Sequence, residues 1–213
     1  MRLFTAIELP EPVRAHLANL NETKDTRALV AGQGERDVRF SRTRPENLHV
    51  TLKFLGAVDE ADVPALCQAL GTIGAERSSD VWAGHVELLP PRGPVRVIAA
   101  GLDGDGGRLE LLYRDVEARC DELGFPRERR PYRPHITLQR CRTPLPPAVR
   151  DELPSHFRSQ FPGPRFRVDS FVLFESRLHG DAPQYIRLAN FPLKRESESG
   201  VRSDWHANGG RAE

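Results

Sequence analysis

Cysteine is scarce in this chain. Cys67, Cys120 and Cys141 are odd in number, widely spaced and form no C-x-x-C pair. That argues against a disulfide framework or a zinc-finger lattice and leaves three small apolar residues suited to a reducing compartment. Trp, Tyr and Met number two, three and one, and 38% hydrophobic against 29% charged residues describes a soluble globular chain that is polar for its size. No apolar run approaches the roughly 20 residues that span a bilayer. The first ten residues, Met1 to Pro10, lack the apolar core and small-residue cleavage site of a signal peptide. The expectation is a cytoplasmic protein without a membrane partner. A net charge of +1 means that the molecule as a whole does not attract polyanions. H-E-x-x-H, G-x-S-x-G and a P-loop lysine are all missing, which removes three large groups of hydrolases.

What the chain does have is a repeated phrase. His49-Val50-Thr51-Leu52 and His135-Ile136-Thr137-Leu138 are both His-aliphatic-Thr-Leu, where seven histidines in 213 residues give far less than one copy by chance. Each copy alternates polar and apolar, the period of a half-buried strand, so each His and its Thr share one face. Arginines gather beside both copies. Arg36, Arg39, Arg42 and Arg44 precede the first, and Arg127, Arg129, Arg130, Arg133, Arg140 and Arg142 surround the second. A single Arg is as often a solvated surface residue, but the twofold clustering favours an anionic ligand.

The order of elements is itself partly repeated. A strand over 3–9, a helix over 12–21 with Val13, Leu17 and Leu20 inward, and the motif strand 48–55 correspond to a strand over 95–102, a helix over 107–123 and the motif strand 134–140. The second of these helices turns Leu109, Leu112, Val116 and Cys120 inward, with Gly124 as its C-cap. Residues 21–35 read as loop, Val38–Phe40 as a short strand, and 60–76 as a helix with Val63, Leu66, Leu70 and Ile73 inward. Strands are expected at 81–89, 166–175 and 184–188, with a proline-rich loop after the second motif. Residues 1–193 read as one two-lobed domain and 194–213 as a disordered tail. Two such units facing each other would bring His49 and His135 to opposite sides of one cleft.

In-line displacement at a phosphodiester needs a base on the attacking water and an acid on the leaving oxygen. Histidine serves either purpose near neutral pH. Threonine hydroxyls donate to nonbridging oxygens, so the set works without a metal, and two histidines lacking a nearby carboxylate are too few to hold one. A lone strand histidine is more often a packing residue; two in corresponding places, with Arg alongside, favour chemistry. His16, His85, His156, His179 and His206 lack that context and read as surface or packing residues.

Arg2-Leu3-Phe4-Thr5-Ala6-Ile7-Glu8-Leu9-Pro10, Asn47 through Gly56, and Arg133-Pro134-His135-Ile136-Thr137-Leu138-Gln139-Arg140 resemble the two-histidine (2H) phosphoesterase superfamily. Within it they are most similar to the RNA 2′,3′-cyclic phosphodiesterase family, also called 2′-5′ RNA ligase. Leu123-Gly124-Phe125 and Leu173 to Leu178 add to the likeness, which runs over roughly residues 1–192. The resemblance implies an α+β fold: two pseudo-twofold-related lobes of antiparallel sheet flanking a central cleft, with helices outside. It implies hydrolysis of RNA 2′,3′-cyclic phosphate ends to 2′-phosphomonoesters, with 2′-5′ ligation as the reverse, and no metal or other cofactor. It also implies His49 as proton donor and His135 as acceptor, with Thr51, Thr137 and Arg140 on phosphate; chemistry alone permits either assignment of the two histidines. Where many relatives carry Trp before the first motif, this chain has Phe40, which suits base stacking or core packing equally. The alternatives are a phosphodiesterase for a small cyclic nucleotide or nucleotide-sugar, and a non-catalytic RNA-end binding module. A monomer is expected.

Overall fold

The computed structural model describes residues 1–23, 26, 39–73, 77–145, 147–179 and 182–193. The expected tail at 194–213, most of the loop expected at 21–35 and Arg36 and Val38 lie outside the described residues. Strands β1 (Arg2–Glu8), β2 (Phe40–Arg42), β3 (His49–Ala57), β4 (Ser79–Leu89), β5 (Val95–Gly104), β6 (His135–Leu145), β7 (Arg165–Val168), β8 (Ser170–His179) and β9 (Ala182–Pro192) form a curled antiparallel sheet. Its order is β7-β4-β5-β6-β3-β1-β8-β9, with β2 paired to β6.

That order is symmetric about the junction of the two motif strands. Outward from β6 lie β5, β4 and β7; outward from β3 lie β1, β8 and β9. The duplicated unit read from the sequence is therefore present, with β1 matching β5 and β3 matching β6. The two lobes are continuous through one bridging pair, Val50 opposite Ile136. The α+β architecture with two lobes of antiparallel sheet is as expected.

Helices α1 (Glu11–Thr23), α2 (Val63–Leu70), α3 (Gly106–Glu122) and α4 (Pro147–Phe157) cover one face. Their apolar stripes supply the core: Val13, Leu17 and Leu20 of α1, Leu66 and Leu70 of α2, and Leu109, Leu112, Val116 and Cys120 of α3 are buried. Each fully buried aliphatic side chain contributes about 1.5–3 kcal/mol relative to exposure. Gly124, at φ +87°, ends α3 in the left-handed conformation that glycine adopts without a Cβ penalty.

Three expectations need correction. The helix expected over 60–76 is a 3₁₀ turn (Glu60–Asp62) followed by a shorter α2. The proline-rich segment after the second motif carries α4, whose Val149, Leu153 and Phe157 are fully buried at helical spacing. The strand expected over 166–175 is two strands broken at Asp169. β7 pairs with β4 in one lobe and β8 with β1 in the other, so the chain changes lobes there. Periodicity reads the same on either side of such a crossing.

Candidate active site

Strand alternation sets the two motifs. Val50, Leu52, Ile136 and Leu138 are buried toward the helices, while His49, Thr51, His135 and Thr137 are half-buried on the opposite face. Carrying the Val50–Ile136 register one residue each way sets His49 across from Thr137 and His135 across from Thr51. Each imidazole thus stands beside the other motif's hydroxyl.

Both rings are oriented in the same manner. His49 Nδ1 lies 2.7 Å from Asn47 O, and His135 Nδ1 lies 2.7 Å from Arg133 O. A carbonyl only accepts, so Nδ1 carries the proton in each neutral ring and Nε2 is left with its lone pair. Thr51 Oγ1, 3.0 Å from His49 Nε2, donates to it in that state. Asn47 is itself buried and fixed by donating from Nδ2 to Pro183 O at 2.8 Å.

Arg140 reaches this face through a bulge. Strict alternation from His135 would turn Arg140 toward the helices. Instead Ile98 pairs with Gln139 and Ala99 with Thr137, leaving Leu138 as an extra residue. Leu138 and Gln139 then both point to the core, and Arg140 emerges on the cleft face. β3 repeats the device. Thr5 pairs with Lys53 and Ala6 with Thr51, so Leu52 is the extra residue and Phe54 emerges beside the cleft, 69% exposed.

Electrostatics tie the two lobes together. Burial is the main cause that lowers His49 to a pKa of about 4; the Asn47 carbonyl opposes this, and the charges of Arg140 and His135 add to it. An empty site therefore holds a neutral His49 at pH 7. Around it stands a wall of aromatic rings that sequence reasoning missed. Phe4 lies 5.2 Å from the His49 ring, 5.8 Å from Phe54 and 5.3 Å from Phe174, and Tyr185 meets His49 edge-on at 5.4 Å. Burial pushes the Tyr185 hydroxyl up and Arg140 pulls it down, so Arg140 also faces this wall. A recess beside His49 is lined by Glu8, Arg14, Glu46, Phe174, Tyr185 and Arg187.

His49, Thr51, His135, Thr137 and Arg140 are thus brought to one face. Phe40 is not among them: it pairs with Cys141 on the core face, half-buried and packed against the core. The aromatic wall was signalled only by Phe54, Phe174 and Tyr185 standing at strand positions away from the core pattern.

A family model described as the 2′-5′ RNA ligase superfamily matches residues 12–180. The chain belongs to that superfamily. A Thermus thermophilus protein named RNA 2′,3′-cyclic phosphodiesterase is 34% identical over 206 residues, 92% of each chain. A Geobacillus stearothermophilus protein of the same name is 30% identical over 179 residues; the match covers 81% of this chain and 54% of that relative's length. Among solved structures, TT0787 of Thermus thermophilus gives a TM-score of 0.65 at 30% identity, covering 92% of this chain and 100% of that one. E. coli LigT complexed with 3′-AMP gives 0.67 at 22% identity, covering 91% and 98%, and shares the fold. Membership in a family of RNA 2′,3′-cyclic phosphodiesterases, which are hydrolases, bears out the resemblance carried by the paired motifs. Among the described residues no helix is long and apolar enough to cross a membrane.

Proposed function

We propose that this chain hydrolyses RNA 2′,3′-cyclic phosphate ends to 2′-phosphomonoesters by histidine acid–base chemistry, without a metal. The observation that carries this reading is the matched pair of imidazoles. Each has Nδ1 bonded to the carbonyl two residues earlier and Nε2 turned away from it, that of His49 meeting the Thr51 hydroxyl, and His135 is near enough for its charge to bear on His49.

In the proposed reaction His135 Nε2 takes a proton from water as the oxygen attacks phosphorus. His49 Nε2 gives a proton to the departing 3′ oxygen, leaving the phosphate on the 2′ oxygen. Each proton transfer is typically worth about 10²–10⁴ in rate. Thr51, Thr137 and Arg140 hold the nonbridging oxygens; hydrogen bonds to charged groups contribute roughly 1.5–3 kcal/mol each. A donor must enter protonated, whereas burial keeps His49 neutral in the empty site. The phosphate anion, seated between Arg140 and His49, offsets the cationic neighbours and favours the imidazolium. The substrate thus helps to load its own acid. The same groups with exchanged protonation serve 2′-5′ ligation in reverse.

Among the described residues no three His, Cys, Asp or Glu side chains converge on a metal position. Both motifs come from one chain, which supports action as a monomer, and we place the enzyme in the cytoplasm. The test is incubation of the purified protein with an RNA fragment ending in a 2′,3′-cyclic phosphate. Conversion to a 2′-phosphate supports the reading. A 3′-phosphate product overturns the proposed departure of the 3′ oxygen, and an intact, protected end makes the protein a binder.

A further inference from the structure

A third histidine shares the face of the other two. His85 pairs with Gly101, and Gly101 pairs with His135. Residues directly opposite in a sheet share a face, so His85, Gly101 and His135 form one row across β4, β5 and β6. The ring of His85 leans along that row. A Cβ added at Gly101 would lie 2.4 Å from His85 Nε2 and 2.6 Å from Cε1, so the imidazole lies over β5 on its way toward β6. Opposed Cβ positions are about 4.5–5.5 Å apart, which places His85 Nε2 within roughly 8 Å of His135 Cβ.

The second nitrogen faces a carboxylate. His85 Nδ1 lies 3.3 Å from Asp103 Oδ1. The Asp103 carboxylate in turn fills the space over Gly84, where an added Cβ would come within 1.8 Å of Oδ2. Two glycines, one on each strand, thus clear the volume that the His85–Asp103 pair takes up. With its Nδ1 proton toward the Asp103 carboxylate, which can only accept, the neutral ring turns its Nε2 lone pair out over Gly101. The His85 side chain is 54% exposed. Glu87, the next residue of β4 on this face, is taken up by Arg133 at 3.3 Å and is not a competing base.

We propose that His85 is a catalytic residue that holds the attacking water beside His135. This rests on the hydrolysis proposed above. In-line displacement brings the nucleophile to phosphorus from the side opposite the departing oxygen. That oxygen faces His49 on β3, so water enters from the β6, β5 and β4 side, where His85 stands. One water proton points to His135 Nε2 and the other to His85 Nε2. As the oxygen–phosphorus bond forms, the first proton passes to His135, the bond from phosphorus to the 3′ oxygen breaks, and His49 protonates the 3′ oxygen. The second proton stays on the new phosphate hydroxyl, with His85 as its acceptor throughout.

The experiment uses steady-state hydrolysis of an RNA fragment ending in a 2′,3′-cyclic phosphate by the full chain and by His85→Leu, His85→Gln and Gly101→Ala. His85→Leu keeps bulk but cannot accept, and should lower kcat roughly tenfold with KM unchanged, as expected for one lost hydrogen bond. His85→Gln, whose amide oxygen accepts, should recover most of that loss. Gly101→Ala should match His85→Leu, because the new Cβ displaces the ring, and the double variant should be no slower than either single one. Wild-type kcat in His85→Leu overturns the proposal, as does a rise in KM that accounts for the whole effect, or a Gln variant no better than Leu. If those results come while His49→Ala and His135→Ala still abolish turnover, only the assignment of His85 falls. If the unaltered chain gives no turnover, both readings fall together.

Discussion

Lys53 Nζ lies 2.9 Å from both carboxylate oxygens of Glu117, and the two residues come from opposite halves of the duplicated unit. Lys53 is the first residue past the bulge of β3, and Glu117 sits on α3. The other half has a matching tie: Gln139, first past the bulge of β6, donates from Nε2 to Asn21 Oδ1 of α1 at 2.9 Å, and Asn21 Nδ2 donates to Leu138 O at 3.1 Å. Each half's helix therefore grips the other half's motif strand where the bulge turns Phe54 or Arg140 outward. Lys53 and Glu117 are nearly inaccessible, and Pro126 O and the Glu128 amide satisfy what the pair leaves over.

Breaking this pair from one side should be costly. Glu117→Leu leaves a buried ammonium without its counter-charge, and the expected loss is about 3–5 kcal/mol. Lys53→Met combined with Glu117→Leu removes both charges and should recover much of it. Urea unfolding of the three proteins measures this. A single variant within about 1 kcal/mol of the parent would mean that water reaches the pair.

The paired histidines make a second prediction. His49→Ala and His135→Ala should each reduce hydrolysis by about 10²–10⁴ with the unfolding midpoint little changed. Excess EDTA should leave the parent rate intact. Near-parental turnover in either variant would remove that imidazole from the chemistry, and loss to EDTA restored by zinc or manganese would require a metal.

The third concerns pH. The pH profile of kcat/KM reports the free enzyme, so the limb at which His49 titrates should fall near pH 4 rather than 6.5. Arg140 is one of the charges that depress it, so Arg140→Met should move that limb upward while weakening phosphate binding. The same depression acts on stability. Between pH 4 and the ordinary 6.5 the unfolded chain binds the proton that folded His49 refuses, so stability is fully present above 6.5 and is lost as pH falls to about 4. The loss is about 3 kcal/mol. Unfolding midpoints at pH 7 and pH 4.5 should draw together in His49→Gln; equal sensitivity in both proteins would place the effect elsewhere.

Much of the site was legible because a two-residue spacing on a strand has only one geometric meaning. His49 with Thr51 and His135 with Thr137 had to share a face, and the apolar neighbours named that face. Arg140 was named from resemblance, while alternation alone would have pointed it into the core; the bulge at Leu138 leaves no mark in composition or periodicity. The helix at 147–157 was hidden by its prolines, although Val149, Leu153 and Phe157 carry the helical period. Pro147 stands at the first helical position, where a missing N–H costs nothing. Phe40 was named for standing before the motif, but its pairing with Cys141, which no local pattern reveals, turns it to the core. His85 was set aside for lack of a motif, and only the register through Gly101 puts it in line with His135.

Phe54 carries the last prediction. A bulged strand turns it out at the position that Arg140 occupies in the other lobe, and it is 69% exposed with Phe4 5.8 Å behind it. A large ring held open to solvent on the lobe of the proposed donor suits a face for the terminal base, since every base stacks on an aromatic ring whatever its sequence. Such stacking is worth about 1–3 kcal/mol, so Phe54→Ala should raise KM for a cyclic-ended RNA roughly 5- to 150-fold. A ring that meets only the base leaves the chemical step alone, so kcat should hold. Phe54→Trp should lower KM, and a base-free ribose cyclic phosphate should be turned over equally by all three proteins. A fall in kcat at constant KM would instead mean that Phe54 acts through His49, by way of the Phe4 ring that touches both.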